Sequence, residues 1–170
     1  MAKIPESIKD IFIVESLRNN LIRQGKVRDT YTINEVCNLC DEPALLMVQT
    51  NRISIFNFVL PALVPHKGEV LTALTHFWLS DLLSGFPNHL ISLAVNKKGN
   101  YAKLLQIKYP DIDLKRSLLV KNLDIDPYEK IFRGHIGGSV YEEYRATGIV
   151  AGQEITPNLP KWSKLEEPLF

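Results

Sequence analysis

Charge of one sign, cysteine and long apolar runs are all scarce in this 170-residue chain. Lys and Arg total 20 against 19 Asp and Glu, a formal net charge of +1. That balance removes the electrostatic case for a nucleic-acid or membrane-surface partner but leaves room for local clusters that hold small anions. The apolar stretch from Phe58 to Val64 is interrupted by Pro61 and is far shorter than the ~20 residues a bilayer helix needs. Pro5, Glu6 and Asp10 stand where a secretion signal would carry an apolar core, so a cytoplasmic location is expected. Two cysteines make no disulfide framework. They are Cys37 and Cys40, surrounded by turn-forming Asn34, Asn38, Asp41 and Pro43, with no second pair to complete a zinc site. A hairpin loop is preferred over a redox pair. His66, His76, His89 and His135 lack metal-ligand spacing, and His76 falls on the exposed side of an expected helix.

What is present suits a globular fold: 45% of residues are hydrophobic and 23% charged. Helical spacing predicts helices over Ser7–Leu17, Glu69–Leu83 and Tyr101–Tyr109, and a further helix beginning near Ser139 and stopped by Gly148. Strands are predicted at Lys26–Ile33, at Leu45–Val48 pairing with it, and at Phe58–Leu63 with Pro61 marking an edge or bulge. Leu90–Val95, Ser117–Leu123 and Glu129–Ile136 complete the set, the last two joined through Pro127. After Gly152 the chain is punctuated by Pro157, Pro160 and Pro168 and shows no periodicity. Strands cluster without regular βαβ alternation, so the fold class is α+β.

Two segments carry chemistry. In Gly25-Lys26-Val27-Arg28-Asp29, a glycine precedes a strand whose alternation puts Lys26 and Arg28 on one face. This is either a pair of cations over a phosphate or a solvated strand face; neither the Walker pattern nor the dinucleotide fingerprint is present. In Arg133-Gly134-His135-Ile136-Gly137-Gly138-Ser139, glycines allow close backbone approach, the helix start favours anions, and Arg133 can grip phosphate or carboxylate. The alternative is a tight turn with Ser139 as N-cap. Arg52-Ile53-Ser54 and His66-Lys67-Gly68 add polar groups between apolar runs.

Taken in order, GKVRDTY, QTNRISIFNFVLP, PHKGEVLTALTHFW, Pro87–Leu90, SLLVKNL and PYEKIFRGHIGGSVYEEYRATG resemble the N-terminal portion of SAICAR synthetase, phosphoribosylaminoimidazole-succinocarboxamide synthase. The resemblance implies a two-lobed α+β fold. An antiparallel-sheet lobe over residues 1–122 would handle nucleotide phosphates, and residues 123–170 would begin a second, ATP-grasp-like lobe. It implies a carbon–nitrogen ligase of purine biosynthesis using ATP and Mg2+ to join an aminoimidazole ribonucleotide carboxylate to L-aspartate through an acyl phosphate. Gly25, Lys26, Arg28, Lys121 and Glu129 match ATP-binding positions; Arg133, Ser139, Ser54 and Lys67 match substrate-side positions.

Family members continue beyond Phe170 with a threonine–lysine loop, the magnesium ligands and further arginines, so no metal ligands are assigned in this chain. The resemblance further implies that the cations near residue 26 and those near residue 133 serve one cleft. Asn51 and Asn57 replace family carboxylates, and Ile55, replacing a small alanine, is expected to crowd the site. The alternative is therefore a truncated, inactive nucleotide- or ribonucleotide-binding homologue. An exposed half-cleft implies self-association or a complementing C-terminal chain.

Overall fold

Alternating burial organises the first half of the protein. The structure, a computed structural model, describes residues 14–33, 43–56, 58–95, 101–128 and 130–169. It divides into two compact units, Met1–Leu123 and Asp124–Phe170. In the first, strands β1 (Leu21–Gln24), β2 (Arg28–Thr32), β3 (Ala44–Gln49), β6 (Leu90–Leu93) and β7 (Ser117–Lys121) form a sheet in the order β1-β2-β3-β7-β6. Every pairing is antiparallel.

Along β2 and just past it, Asp29, Tyr31 and Ile33 are buried, and along β3 Ala44, Leu46 and Val48. This period of two turns one sheet face toward a core completed by Leu17, Leu105, Tyr109 and Ile112. Leu17 comes from a 3-10 segment (Glu15–Asn20) and Leu105 from α2 (Tyr101–Lys108). In β7, Leu118, Leu119 and Val120 are all buried, so this strand is covered on both faces and reads as a continuous apolar run. Helix α1 (Lys67–Phe77) packs on β3, β6 and β7. It is fed by a separate hairpin of β4 (Arg52–Ile55) and β5 (Phe58–Leu63).

The second unit holds β8 (Arg133–His135), α3 (Ser139–Thr147), a two-stranded pair β9 (Ile149–Val150) and β10 (Gln153–Glu154), and β11 (Lys164–Leu169). Its core is thin: Ile136, Tyr144, Val150, Leu165 and Leu169. The Tyr144 hydroxyl donates to the Thr156 carbonyl at 2.9 Å and accepts from the Leu159 amide at 2.7 Å, tying the irregular tail to α3.

The α+β class and most strands agree with the sequence reading, and several details correct it. The aperiodic tail contains β11, which pairs antiparallel with β8. Its buried Leu165 and Leu169 are four residues apart with Pro168 between them and a register shift in the ladder, so no period of two survives. The strand expected over Glu129–Ile136 shrinks to Arg133–His135 and does not pair with β7. The long helix expected to Leu83 is α-helical only to Phe77 and continues as a π-helical turn, Trp78–Leu82. Of the helix expected over Ser7–Leu17, only the 3-10 segment is described. The Cys37–Cys40 loop lies outside the described residues.

Candidate functional site

Turning from β1 into β2 in three residues requires a glycine. The Gly25 amide donates to the Arg28 carbonyl at 2.6 Å, and a Cβ on Gly25 would sit 2.8 Å from that oxygen. Thr50 fastens the turn from the next strand connection, its amide and hydroxyl both donating to the Val27 carbonyl at 3.0 and 2.8 Å. Lys26 lies in the bend before β2, not within it, so strand alternation does not set its direction; Arg28 opens the strand and is exposed. The expectation that both share one strand face is corrected accordingly.

Beneath this turn lies a pair that the sequence reading did not select. Arg52 and Asp29 are both fully buried, with Arg52 Nη2 donating to Asp29 Oδ1 at 2.5 Å and to the Gly25 carbonyl at 3.1 Å. One guanidinium thus clasps the turn's backbone to the strand that follows it. Burial pushes the Asp29 carboxyl above its usual range, with Arg52 and more distant Arg116 pulling it back. The signal was present: on β2's inward face Asp29 stands in step with Tyr31 and Ile33, and a carboxylate there needs a cation.

A second positive group adjoins this clasp. Lys67 opens α1, and its Nζ is buried without a hydrogen-bond partner among the described residues. Burial, with Arg52 nearby, lowers the Lys67 pKa. Next to it, Gly68 is in close contact: a Cβ would lie 2.5 Å from the Gln49 carbonyl and 2.7 Å from Arg116 Cδ. The α1 N-cap, His66, has φ 60° and makes no capping bond from its side chain. Asn51 supplies one, its Oδ1 accepting from the Gly68 amide at 2.9 Å. The amide that replaces a family carboxylate therefore caps a helix start. Ile55, expected to crowd the site, is exposed on its hairpin. Asn57 and Glu129 lie outside the described residues.

Ser54 sits on the same hairpin as Arg52, past a register shift. Lys121 ends β7 opposite Ala44, whereas Arg28 is opposite Gln49. The two nucleotide candidates are thus offset by about 16 Å along β3. They are parts of one sheet but not one cluster.

In the second unit, Arg133 and Ser139 come together. Arg133 Nη1 lies 3.9 Å from where a Gly138 Cβ would be, so its guanidinium overhangs the start of α3. Gly138, at φ +64° and ψ −144°, is the N-cap, and Ser139 is the first helical residue, correcting the serine-cap alternative. Gly137 lies flat under Trp162; a Cβ there would be 2.3 Å from the ring. Among the described residues Arg133 has no ion-pair partner. An open hollow of about 540 Å³ at the other end of α3, lined by Tyr141, Arg145 and Leu159, contains none of the expected site residues. No helix among the described residues is long and apolar enough to cross a membrane.

Comparisons with known proteins bear on the family and the fold. The SAICAR synthetase family model matches residues 21–170. The phosphoribosylaminoimidazole-succinocarboxamide synthase of Elusimicrobium minutum is 36% identical over 151 residues, 88% of this chain and 48% of that protein. That of Thermodesulfovibrio yellowstonii is 35% identical over 164 residues, 96% of this chain and 52% of that protein. A solved SAICAR synthase from Saccharomyces cerevisiae, in complex with SAICAR, superposes with a TM-score of 0.74 at 34% identity, covering all of this chain and 52% of its own. The chain spans about half the length of the relatives it matches. On a match that takes in both the Gly25 turn and the start of α3, the chain belongs to the SAICAR synthetase family.

Proposed function

We propose that this chain supplies the N-terminal, anion-gathering portion of a ligase of purine biosynthesis. The ligase joins the carboxylate of a carboxyaminoimidazole ribonucleotide to the amino group of L-aspartate at the expense of ATP. The observation that carries this reading is the buried Arg52 clasp holding the Gly25 turn, together with the adjacent Lys67 amine, buried with no hydrogen-bond partner among the described residues. A carboxylate is a poor electrophile, so the reaction first moves the γ-phosphoryl group of ATP onto a carboxylate oxygen, releasing ADP. The amine then attacks the acyl carbon and phosphate leaves. All reactants are anionic, and preorganised cations lower the cost of bringing them together.

In this reading Gly25, Lys26 and Arg28 cover the ATP phosphates, and Lys121, offset along the sheet, contacts the rest of an extended nucleotide; Glu129 belongs to the same site. Lys67 and Ser54 face the substrate. Arg133 and Ser139 hold the ribonucleotide through guanidinium and helix-start donors. Magnesium fits less well: among the described residues no three His, Cys, Asp or Glu side chains converge on a metal position. No step is assigned to a metal held by this chain. A cytoplasmic setting is part of the proposal.

Purified chain incubated with ATP, magnesium, L-aspartate and the ribonucleotide, assayed for phosphate release, tests the reaction. A second reading, a binding homologue without turnover, is favoured by the loss of charge that the resemblance implies at Asn51, whose amide keeps the helix cap but brings no carboxylate. Nucleotide-induced thermal stabilisation without phosphate release, persisting when the remaining portion of a relative's synthase is added, selects that reading, and absence of both effects under that condition defeats each of them.

A further inference from the structure

The hollow beside α3 is lined by none of the residues assigned to the proposed reaction. It has a volume of about 540 Å³. On its helix side, Tyr141 and Arg145 are i, i+4 neighbours on one face of α3, next to buried Tyr144. Its other wall is the turn Thr156-Pro157-Asn158-Leu159, with proline second and an asparagine at φ 61° third, the order a type II turn takes. Such a turn commonly closes with a bond from its last amide to its first carbonyl. Here the Tyr144 hydroxyl stands between the two, accepting from the Leu159 amide at 2.7 Å and donating to the Thr156 carbonyl at 2.9 Å. The Ile155 amide fixes the near end of the same segment by donating to the Gly148 carbonyl at 3.0 Å. The wall is thus fastened to α3, and the hollow is formed before anything enters it.

Ile155, Leu159, Pro157 and Pro160 give the hollow an apolar floor. The Tyr141 and Tyr144 rings meet at 6.1 Å with their planes tilted by 39°. Lys161 Nζ stands 5.5 Å from the centre of the Tyr141 ring, and its contact with Glu142 is a long 4.0 Å. Among the described residues, neither the Arg145 guanidinium nor the Tyr141 hydroxyl has a hydrogen-bond or ion-pair partner. We propose that this hollow is a binding site for a small molecule with a flat ring and an anionic substituent, phosphate or carboxylate. The ring lies between Tyr141 and the proline wall, and Arg145 takes the anion with the Tyr141 hydroxyl donating beside it. The negative end of α3 does not contest that anion, since the Tyr144 and Gly148 carbonyls already accept from the Gly148 and Ile155 amides. A bare anion leaves the apolar floor unused, and a neutral ring leaves Arg145 unpaired. The volume falls within the range of about 300–1,000 Å³ typical of ligand pockets. The inference is independent of the proposed reaction.

The test is heteronuclear NMR of the isotope-labelled 170-residue chain, titrated with adenosine monophosphate as a ring with phosphate and with indoleacetate as a ring with carboxylate. At least one probe should move the Tyr141, Arg145 and Leu159 amides along a saturable curve with a Kd below about 1 mM, and the stronger one identifies the anion that the site takes. Inorganic phosphate and acetate at the same concentrations should leave these amides in place. Arg145→Gln, at an exposed position, should weaken binding at least tenfold with an unchanged melting curve, whereas Lys103→Glu on α2 should change nothing. Silence of the three amides toward both probes, an equal response to inorganic phosphate, or binding indifferent to Arg145→Gln would each overturn the inference. Shifts confined to the first unit belong to the nucleotide candidates there and count as silence of the hollow.

Discussion

The two units build their candidate sites by different means. In the first, which has a five-stranded sheet and a large core, the Gly25 turn is held from below by a buried side-chain pair, Asp29 from that sheet and Arg52 from the separate β4–β5 hairpin. In the second, Arg133 overhangs a glycine-rich helix start carried by a two-stranded ladder and five buried residues. A site built on a buried ion pair cannot lose one partner without stranding the other charge, so local chemistry and folding stability are coupled. A site built on backbone donors and one half-buried arginine can be edited with little effect on folding. The first unit should therefore be brittle and the second forgiving.

Removing Arg52 is the hardest blow to that contrast. Arg52→Met leaves Asp29 buried without its partner and should cost about 3–5 kcal/mol in denaturant unfolding, with the paired change Arg52→Met/Asp29→Leu recovering most of it. A cost under about 1 kcal/mol would mean that the clasp is incidental. Gly68→Ala comes next, because its Cβ meets the rigid Gln49 carbonyl at 2.5 Å. Helix α1 must lift from the sheet, at about 1–3 kcal/mol by the same measurement.

Lys67→Met separates binding from stability. Affinity for the carboxylated ribonucleotide measured by titration calorimetry should fall about tenfold, roughly 1.4 kcal/mol, while stability holds or rises because a buried amine with no hydrogen-bond partner among the described residues is gone. The sign in pH follows from the lowered Lys67 pKa. Between that value and the ordinary 10.5 the folded state binds fewer protons than the unfolded one, so this group's contribution to stability rises with pH. Over the same range the ammonium is lost and affinity for the ribonucleotide declines, and Lys67→Met should flatten both trends.

Gly137→Ala sets the lower bound. Its Cβ would strike the Trp162 ring at 2.3 Å, but that ring is exposed and can swing away. The stability change should stay within about 0.5 kcal/mol while Trp162 emission shifts. A large loss would show the second unit to be as rigid as the first.

Much of the first unit was legible because local periodicity is enforced by a buried face: Tyr31 and Ile33, or Leu46 and Val48, alternate since only one side of the sheet reaches the core. The site was legible as a set of segments. Gly25 and Gly138 advertise their turns through backbone requirements that act within a few residues. Arg52 did not, because its value depends on Asp29, 23 residues away, and an arginine in a loop looks the same whether it is buried or solvated. Asn51 shows the same limit, since a cap taken from another loop carries no N-cap signature at the helix itself.

From residue order alone came the α+β class, the inward faces of β2 and β3, the helix after Pro65 and the two glycine-rich anion candidates. Tertiary structure alone decided that β11 joins β8, that Arg52 rather than its neighbour Ser54 organises the Gly25 turn, and that α1 leaves an apolar stripe uncovered. The division has one physical cause. Alternation and turn geometry act between neighbours along the chain, whereas charge pairing and burial depend on which distant segments meet, and that is settled only when the chain has folded.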